Sequence, residues 1–228
     1  MNSAERVKAA IERKPADRVP IFMWFQPESV KILADYLEIP AEWVGAAMGD
    51  DIRQTWVNNN QAMEGVVHEH DGEGHDDPWG IRWVRSYGFN QIDYYPLRGA
   101  DEKTVLDYRF PEESIEELMA PMAETAARAD GYYLGCDVSP CASEMYWRLR
   151  GLDDALADIA MNEGLAERMF GRCVDFAITL SKEAIRRFDL DWLWTGDDVA
   201  FQQGMLISPD HWRRLIKPHL ARLFRVGI

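Results

Sequence analysis

Two adjacent acids, Asp197 and Asp198, follow directly on the short apolar run Trp192-Leu193-Trp194. Neighbouring carboxylates raise one another's pKa, so such a pair suits a proton donor or a contact to a ligand. The alternative is a pair of loop acids that merely stabilise a turn. Gln202, four residues on, carries an amide able to read a polar substrate group, or simply solvates the loop. Behind it, Ser208-Pro209-Asp210 has the chemistry of a helix start: a side-chain cap, a proline suited to the first helical position, and an acid at the positive end of the dipole. Residues 189–218 therefore read as strand, carboxylates, loop and capped helix. That is one βα unit with its acids at the strand's C-terminal end, where parallel α/β proteins place their chemistry. Asp197 is expected to face the mouth and act on the ligand, with Asp198 orienting the loop.

The elements that must position these residues alternate along the chain. Helical patterns over 3–13, 29–37 and 41–48 surround a first strand at 18–23, and a second strand is expected at 51–57. The section 63–97 differs. Gly65-Val66-Val67-His68-Glu69-His70, a Gly/Asp-rich turn, Trp79 to Val84 and Gln91 to Pro96 read as an antiparallel insertion. A helix over 114–129 then leads into a strand at 132–138. Short helices at 143–150 and 152–161 and a long one at 163–188 deliver the chain to the Trp192 strand. Trp192 and Trp194 are expected in the core, and Trp79 and Trp83 between the insertion and the rest. The last helix, from Pro209, should kink at Pro218. The chain stops at Arg225-Val226-Gly227-Ile228, where a further strand would follow, so the sequence reads as a fold incomplete at its C-terminus.

Composition narrows the class. The 228 residues are 47% hydrophobic and 28% charged, enough for a large core. A formal net charge of −14 argues against nucleic-acid phosphates and anionic membranes as partners. The start, MNSAERVKAAIERK, is an amphipathic helix without the apolar region of a signal peptide. Three cysteines without framework spacing fit a reducing, cytoplasmic setting. His68, His70 and His75 lie among acids, which fits either a cation site or a solvated hairpin turn. The second reading is adopted, and no metal site is assigned. Cys136 and Cys141 read as buried thiols.

Four stretches carry a family resemblance: RVKAAIERKPADRVPI at the start, DDPWGIRW in the insertion, MYWRLRGLDDALADIAMNEGLAERM in the middle, and TGDDVAFQQGMLISPDHWRRLIKPHLARL. They resemble the uroporphyrinogen decarboxylase superfamily, and the last looks like its branch of corrinoid-dependent methyltransferases. The resemblance implies a (β/α)8 TIM barrel, here its N-terminal part over residues 1–228. It implies methyl transfer with a corrinoid or thiol carrier, a small-molecule substrate and a corrinoid protein as partner. Any zinc would take its ligands beyond residue 228, since the chain has no His-x-Cys. Asp51 resembles an early-strand aspartate that holds substrate N–H groups, or is a turn acid. Tyr146 lies near the place of a substrate-facing tyrosine. The decarboxylases' arginine-rich loop is replaced by Met23-Trp24-Phe25-Gln26-Pro27. Decarboxylation of a uroporphyrinogen-like polycarboxylate is thus the second reading, and a non-catalytic corrinoid- or ligand-binding protein the third.

Overall fold

A computed structural model describes residues 1–227. The N-terminal helix α1 (Ser3–Ile11) opens with a capping box. The Asn2 side chain accepts from the Glu5 amide, and Glu5 reaches back to the amide of Asn2. The chain then runs through residues 18–25 without forming a strand, which corrects the expectation for 18–23. The stretch is extended, but Pro20 lacks a donor, and among the described residues a single backbone–backbone bond, from the Asp51 amide to the Ile21 carbonyl, joins it to the start of β1; further ties run through the Asp51 side chain. Helix α2 (Pro27–Leu37) and the short α3 (Val44–Ala47) lead into β1 (Ile52–Trp56).

The insertion is antiparallel as expected, with different strands. Strands β2 (Gly74–Asp76), β3 (Arg82–Ser86) and β4 (Phe89–Tyr94) form one sheet in that order. Residues 66–70 stay outside it, so His68 and His70 are not on a strand. The DDPWGIRW stretch has a local cause. One oxygen of Asp77 accepts from the Trp79 and Ile81 amides (both 2.9 Å), closing the turn before β3. The other accepts from the Trp83 indole and from Asn59, which follows β1 (both 2.7 Å). One buried carboxylate therefore shapes the turn and docks the insertion. Trp79, Ile81 and Trp83 complete the docking as core residues.

Helices α4 (Glu102–Asp107) and α5 (Ile115–Ala127) precede β5 (Tyr133–Asp137). Then α6 (Ser143–Arg150), α7 (Leu152–Met161) and α8 (Glu163–Arg187) lead to β6 (Trp192–Trp194). The parallel sheet has the order β1-β5-β6, with Trp56, Asp137 and Trp194 aligned at its C-terminal edge. Three parallel strands do not close a barrel, and the described residues form none. Helix α8 is the spine of the core. Asn162 caps it and Arg186 and Arg187 complement its C-terminal dipole. Leu165, Met169, Phe170, Cys173, Val174, Ala177, Leu180 and Ala184 form a buried stripe at helical spacing. Each large side chain buried this way contributes about 1.5–3 kcal/mol.

Strand alternation sorts β5 between two faces. Leu134 and Cys136 join that core, while Gly135 and Asp137 face the other way. On β6 the same alternation packs Leu193 against the core and turns Trp192 and Trp194 away, so the two tryptophans are not core residues, and Trp194 is exposed. Gly135 is required where it is, because a Cβ there would overlap the Trp192 indole. After β6 come a hairpin of β7 (Ala200–Phe201) and β8 (Gly204–Met205), then α9 (Pro209–His211) and α10 (Lys217–Phe224). Between these helices, residues 212–216 form a wide π-type turn just ahead of Pro218. Pro218 cannot donate to the Arg214 carbonyl, so the irregularity falls one turn before the expected kink.

Candidate active site

The C-terminal edge of the parallel sheet is a platform of interlocked loops. Asn58, after β1, donates to the carbonyls of Val138 and Pro140 after β5 (both 2.8 Å). The Ser139 hydroxyl accepts from the Gly196 amide after β6. Arg148 on α6 donates to Asn59 and Asn60 and pairs with Glu144 at 2.6 Å. The other Glu144 oxygen takes the Asp198 amide at 3.0 Å. Loops from all three strands are thus tied together by side-chain hydrogen bonds, which preorganises whatever the edge presents.

Asp197 belongs to this platform. Ala142, at the cap position of α6, has no side-chain acceptor to offer. Asp197 supplies it from across the sheet, accepting from the amides of Ala142, Ser143 and Glu144 (2.9–3.0 Å) and from the Ser143 hydroxyl. Burial pushes its pKa up against these bonds. Every lone-pair direction is in use, so the carboxylate is turned onto the helix and not into the open mouth. Asp198 is exposed and borders a small crevice with Trp147 and Leu206 on the far side of the loop. Partial desolvation of its carboxyl against the loop, and the neighbouring Glu144, raise its pKa. Gln202 lies exposed in the β7–β8 turn.

The other two sequence candidates also stand away from the mouth. Asp51, fully buried at the N-terminal end of β1, accepts from Arg6 (2.6 Å), Arg18 (2.7 and 2.9 Å), Ser3 (2.8 Å) and the Ile21 amide (2.9 Å). Burial pushes its carboxyl up, but these bonds outweigh it and hold the pKa below the ordinary value. It clasps α1 and the extended segment to the sheet. Tyr146 is fully buried in α6, its hydroxyl donating to Asp158 at 2.6 Å and its ring edge-on to Phe170. The structure therefore brings Asp197 and Asp198 to one loop and leaves Asp51, Tyr146 and Gln202 apart from it and from each other.

The carboxylate that does face the mouth is Asp137, the last residue of β5 and 3% exposed. It accepts from the Ser139 amide (2.7 Å) and from Gln54 Nε2 (3.1 Å). Burial is the main cause of a pKa pushed up to about 6, helped by Glu144 and opposed by Ser139 and Gln54. The opposite atom of that amide, Gln54 Oε1, is buried and has no partner among the described residues. Asp137 and Gln54 line a cavity of about 250 Å³ with Phe22, Trp24, Trp56 and Trp194. A buried acid poised near neutral pH beside an unsatisfied acceptor, in an aromatic cleft at a strand end, has the makings of an acid–base and binding centre. The sequence held a signal for it. Asp137 is the penultimate residue of the expected strand at 132–138, so the strand-end rule applied to Asp197 points to it as well. Gln54 and the aromatic frame carried none, because only strand pairing puts them beside Asp137.

Among the described residues no group of three or more His, Cys, Asp or Glu side chains is placed to hold a metal ion. His68 Nε2 and His75 Nδ1 approach to 2.9 Å, a pair without a third ligand. The three cysteines are unpaired and buried, and burial raises all their thiol pKa values.

No family model matches the chain, and no curated protein does. Among solved structures, the fold is similar to a methyltransferase from Methanosarcina mazei. The TM-score is 0.65 and the identity 15%, and the match covers all of this chain and 67% of that one.

Proposed function

We propose that the chain belongs to a methyltransferase of the uroporphyrinogen decarboxylase type, acting with a corrinoid or thiol methyl carrier. In this reading the parallel strands β1, β5 and β6 belong to a (β/α)8 barrel and Asp137 marks its mouth. The observation that carries it is the lining. A single carboxyl sits among aromatic side chains with no Lys, Arg or His. The likeness in fold to a methyltransferase supports the same direction. A polycarboxylate would meet an acid and no counter-charge here, which disfavours the decarboxylase reading. Trp24 and Phe25 stand where the decarboxylases carry arginines. The unpaired thiols suit a reducing cytoplasm.

In this reading Trp24, Trp56 and Trp194 offer an apolar edge contact to a corrinoid, which a cleft of about 250 Å³ does not enclose. A corrinoid, when bound, supplies a carrier able to give or take a methyl group. The residues present offer no ligand set for zinc, and no step is assigned to it. The chain's own part is to orient the methyl acceptor and to manage its proton. An acceptor S–H or O–H placed before Asp137 gives its proton to the carboxylate as the new bond to carbon forms. A pKa near 6 leaves most of the carboxylate ionised at pH 7 yet basic enough to accept it. Asp197 acts at one remove, fixing α6 to the loop after β6, whose Gly196 amide donates to Ser139 beside Asp137, and the backbone amide of Asp198 ties the same loop to Glu144.

The test is methyl transfer from methylcobalamin to a small thiol, followed by the loss of the methylcobalamin absorbance. The wild type turns over, and Asp137→Asn lowers turnover by about a hundredfold, the scale of one acid–base group. Wild-type turnover in Asp137→Asn, or none in the wild type, refutes the proposal.

A further inference from the structure

Asp137 is a buried carboxylate with no cation beside it, and its neighbours across the sheet are indoles. Trp56 and Trp194 are its register partners on the two flanking strands, each backbone about 4.8 Å away. Trp24 extends the frame, its ring centroid 5.6 Å from that of Trp56 and tilted by 58°. Trp194 continues to Trp192 at 5.8 Å, and Trp192 to Phe22 at 6.0 Å. The rings are partly open to solvent, with Trp24 59% and Trp194 48% exposed, so a ligand can reach them. A positive charge before Asp137 would lie in a cleft lined by Trp24, Trp56 and Trp194, and indole faces attract cations within about 6 Å. Methyl groups on that charge would fill the apolar space a hydrated ammonium leaves empty.

We propose that this half-open aromatic box binds a quaternary methylammonium group, and that such a compound is the methyl donor of the transfer. The assignment rests on the methyltransferase reading for its second half alone. The cation supplies the counter-charge that the lining lacks, and the box contributes shape and quadrupole. Charged groups facing Asp137 are few. From α6 comes Glu144, already paired with Arg148, and from β1 only the neutral Gln54. With a thiol as acceptor the step balances. The sulfur lone pair forms the new S–CH₃ bond, and the N–CH₃ bond breaks with its pair left on nitrogen. The thiol proton passes to the Asp137 carboxylate. The donor loses its positive charge as the carboxylate loses its negative one, so no net charge is left in the buried site.

Isothermal titration calorimetry with choline and its neutral carbon isostere, 3,3-dimethylbutan-1-ol, tests the box. Choline should bind at least tenfold more tightly than the isostere. Asp137→Asn should remove most of that discrimination, and Trp24→Leu, at an exposed site that tolerates change, should weaken choline by about threefold to tenfold. Equal binding of the two compounds, no choline binding, or unchanged affinity in Trp24→Leu overturns the proposal. The donor role is read by incubating choline with a thiol and looking for the methyl thioether and dimethylaminoethanol. Choline bound but intact, while methylcobalamin is still turned over, overturns the donor assignment. Choline bound with transfer from neither donor refutes the methyltransferase reading and upholds the box.

Discussion

Replacing Asp137 with asparagine should make the protein more stable and less active together. The carboxyl's pKa is lifted from 3.8 to about 6, so the folded state holds its proton more tightly than the unfolded chain does. The sign follows from linkage: the group's contribution is fully present below the unfolded pKa near 3.8 and is lost as pH rises through about 6. A rise from 3.8 to about 6, at about 1.36 kcal/mol per tenfold change in proton affinity, makes burial of the ionised form cost about 3 kcal/mol at pH 8, and about half a kcal/mol at pH 4. Asparagine removes that cost. Its oxygen can still accept from the Ser139 amide, and its NH₂ can donate to Gln54 Oε1, the acceptor now without a partner, if the Gln54 amide turns over. Asp137→Asn should therefore unfold at higher urea at pH 8, by up to about 3 kcal/mol. In heat that is roughly 6–12 °C for a chain of this size. At pH 4 the two proteins should nearly coincide. Urea titrations of both at pH 4, 6 and 8 measure it. A variant less stable than the wild type at pH 8, or an advantage equal at pH 4 and pH 8, refutes the argument that burial strains this carboxylate.

Asp197→Ala should destabilise by about 3–5 kcal/mol in urea unfolding, since three enclosed α6 amides and the Ser143 hydroxyl lose their acceptor; a loss under 1 kcal/mol would mean water replaces it freely. Gly135→Ala should cost about 1–3 kcal/mol and displace the Trp192 ring, visible as a shifted tryptophan emission; an unchanged melt and spectrum would contradict the close approach. Asp51→Asn leaves Arg6 and Arg18 short of their buried counter-charge and should cost about 3–5 kcal/mol. Protease cleavage within residues 12–20 should speed up with it, and unchanged digestion would show that α1 is held by other means.

How much of this was legible in the sequence depends on the range over which each feature is decided. Helix α8 was readable nearly to its ends, because its apolar stripe, Asn162 cap and terminal arginines are local and agree. Strand β5 was readable as an apolar run between turn signals, and the antiparallel character of the insertion from its turns. The strands within the insertion shifted because Asp77, not the His-rich stretch, sets the turn. Residues 18–23 have a strand's composition but lack the partner bonds, which no local pattern reports. The site was the least legible part. The sequence placed the carboxylates Asp197 and Asp198 just after the Trp192 strand. Only the tertiary structure decided which acid faces the mouth. Asp197 is drawn onto the bare N-terminus of α6, 54 residues away in sequence, since those amides must be satisfied. Asp137 is left between Trp56 and Trp194 because strand pairing aligns residues 81 and 57 positions apart. A carboxylate's role follows from which donors reach it first, and that is fixed by packing, not by its neighbours in the chain.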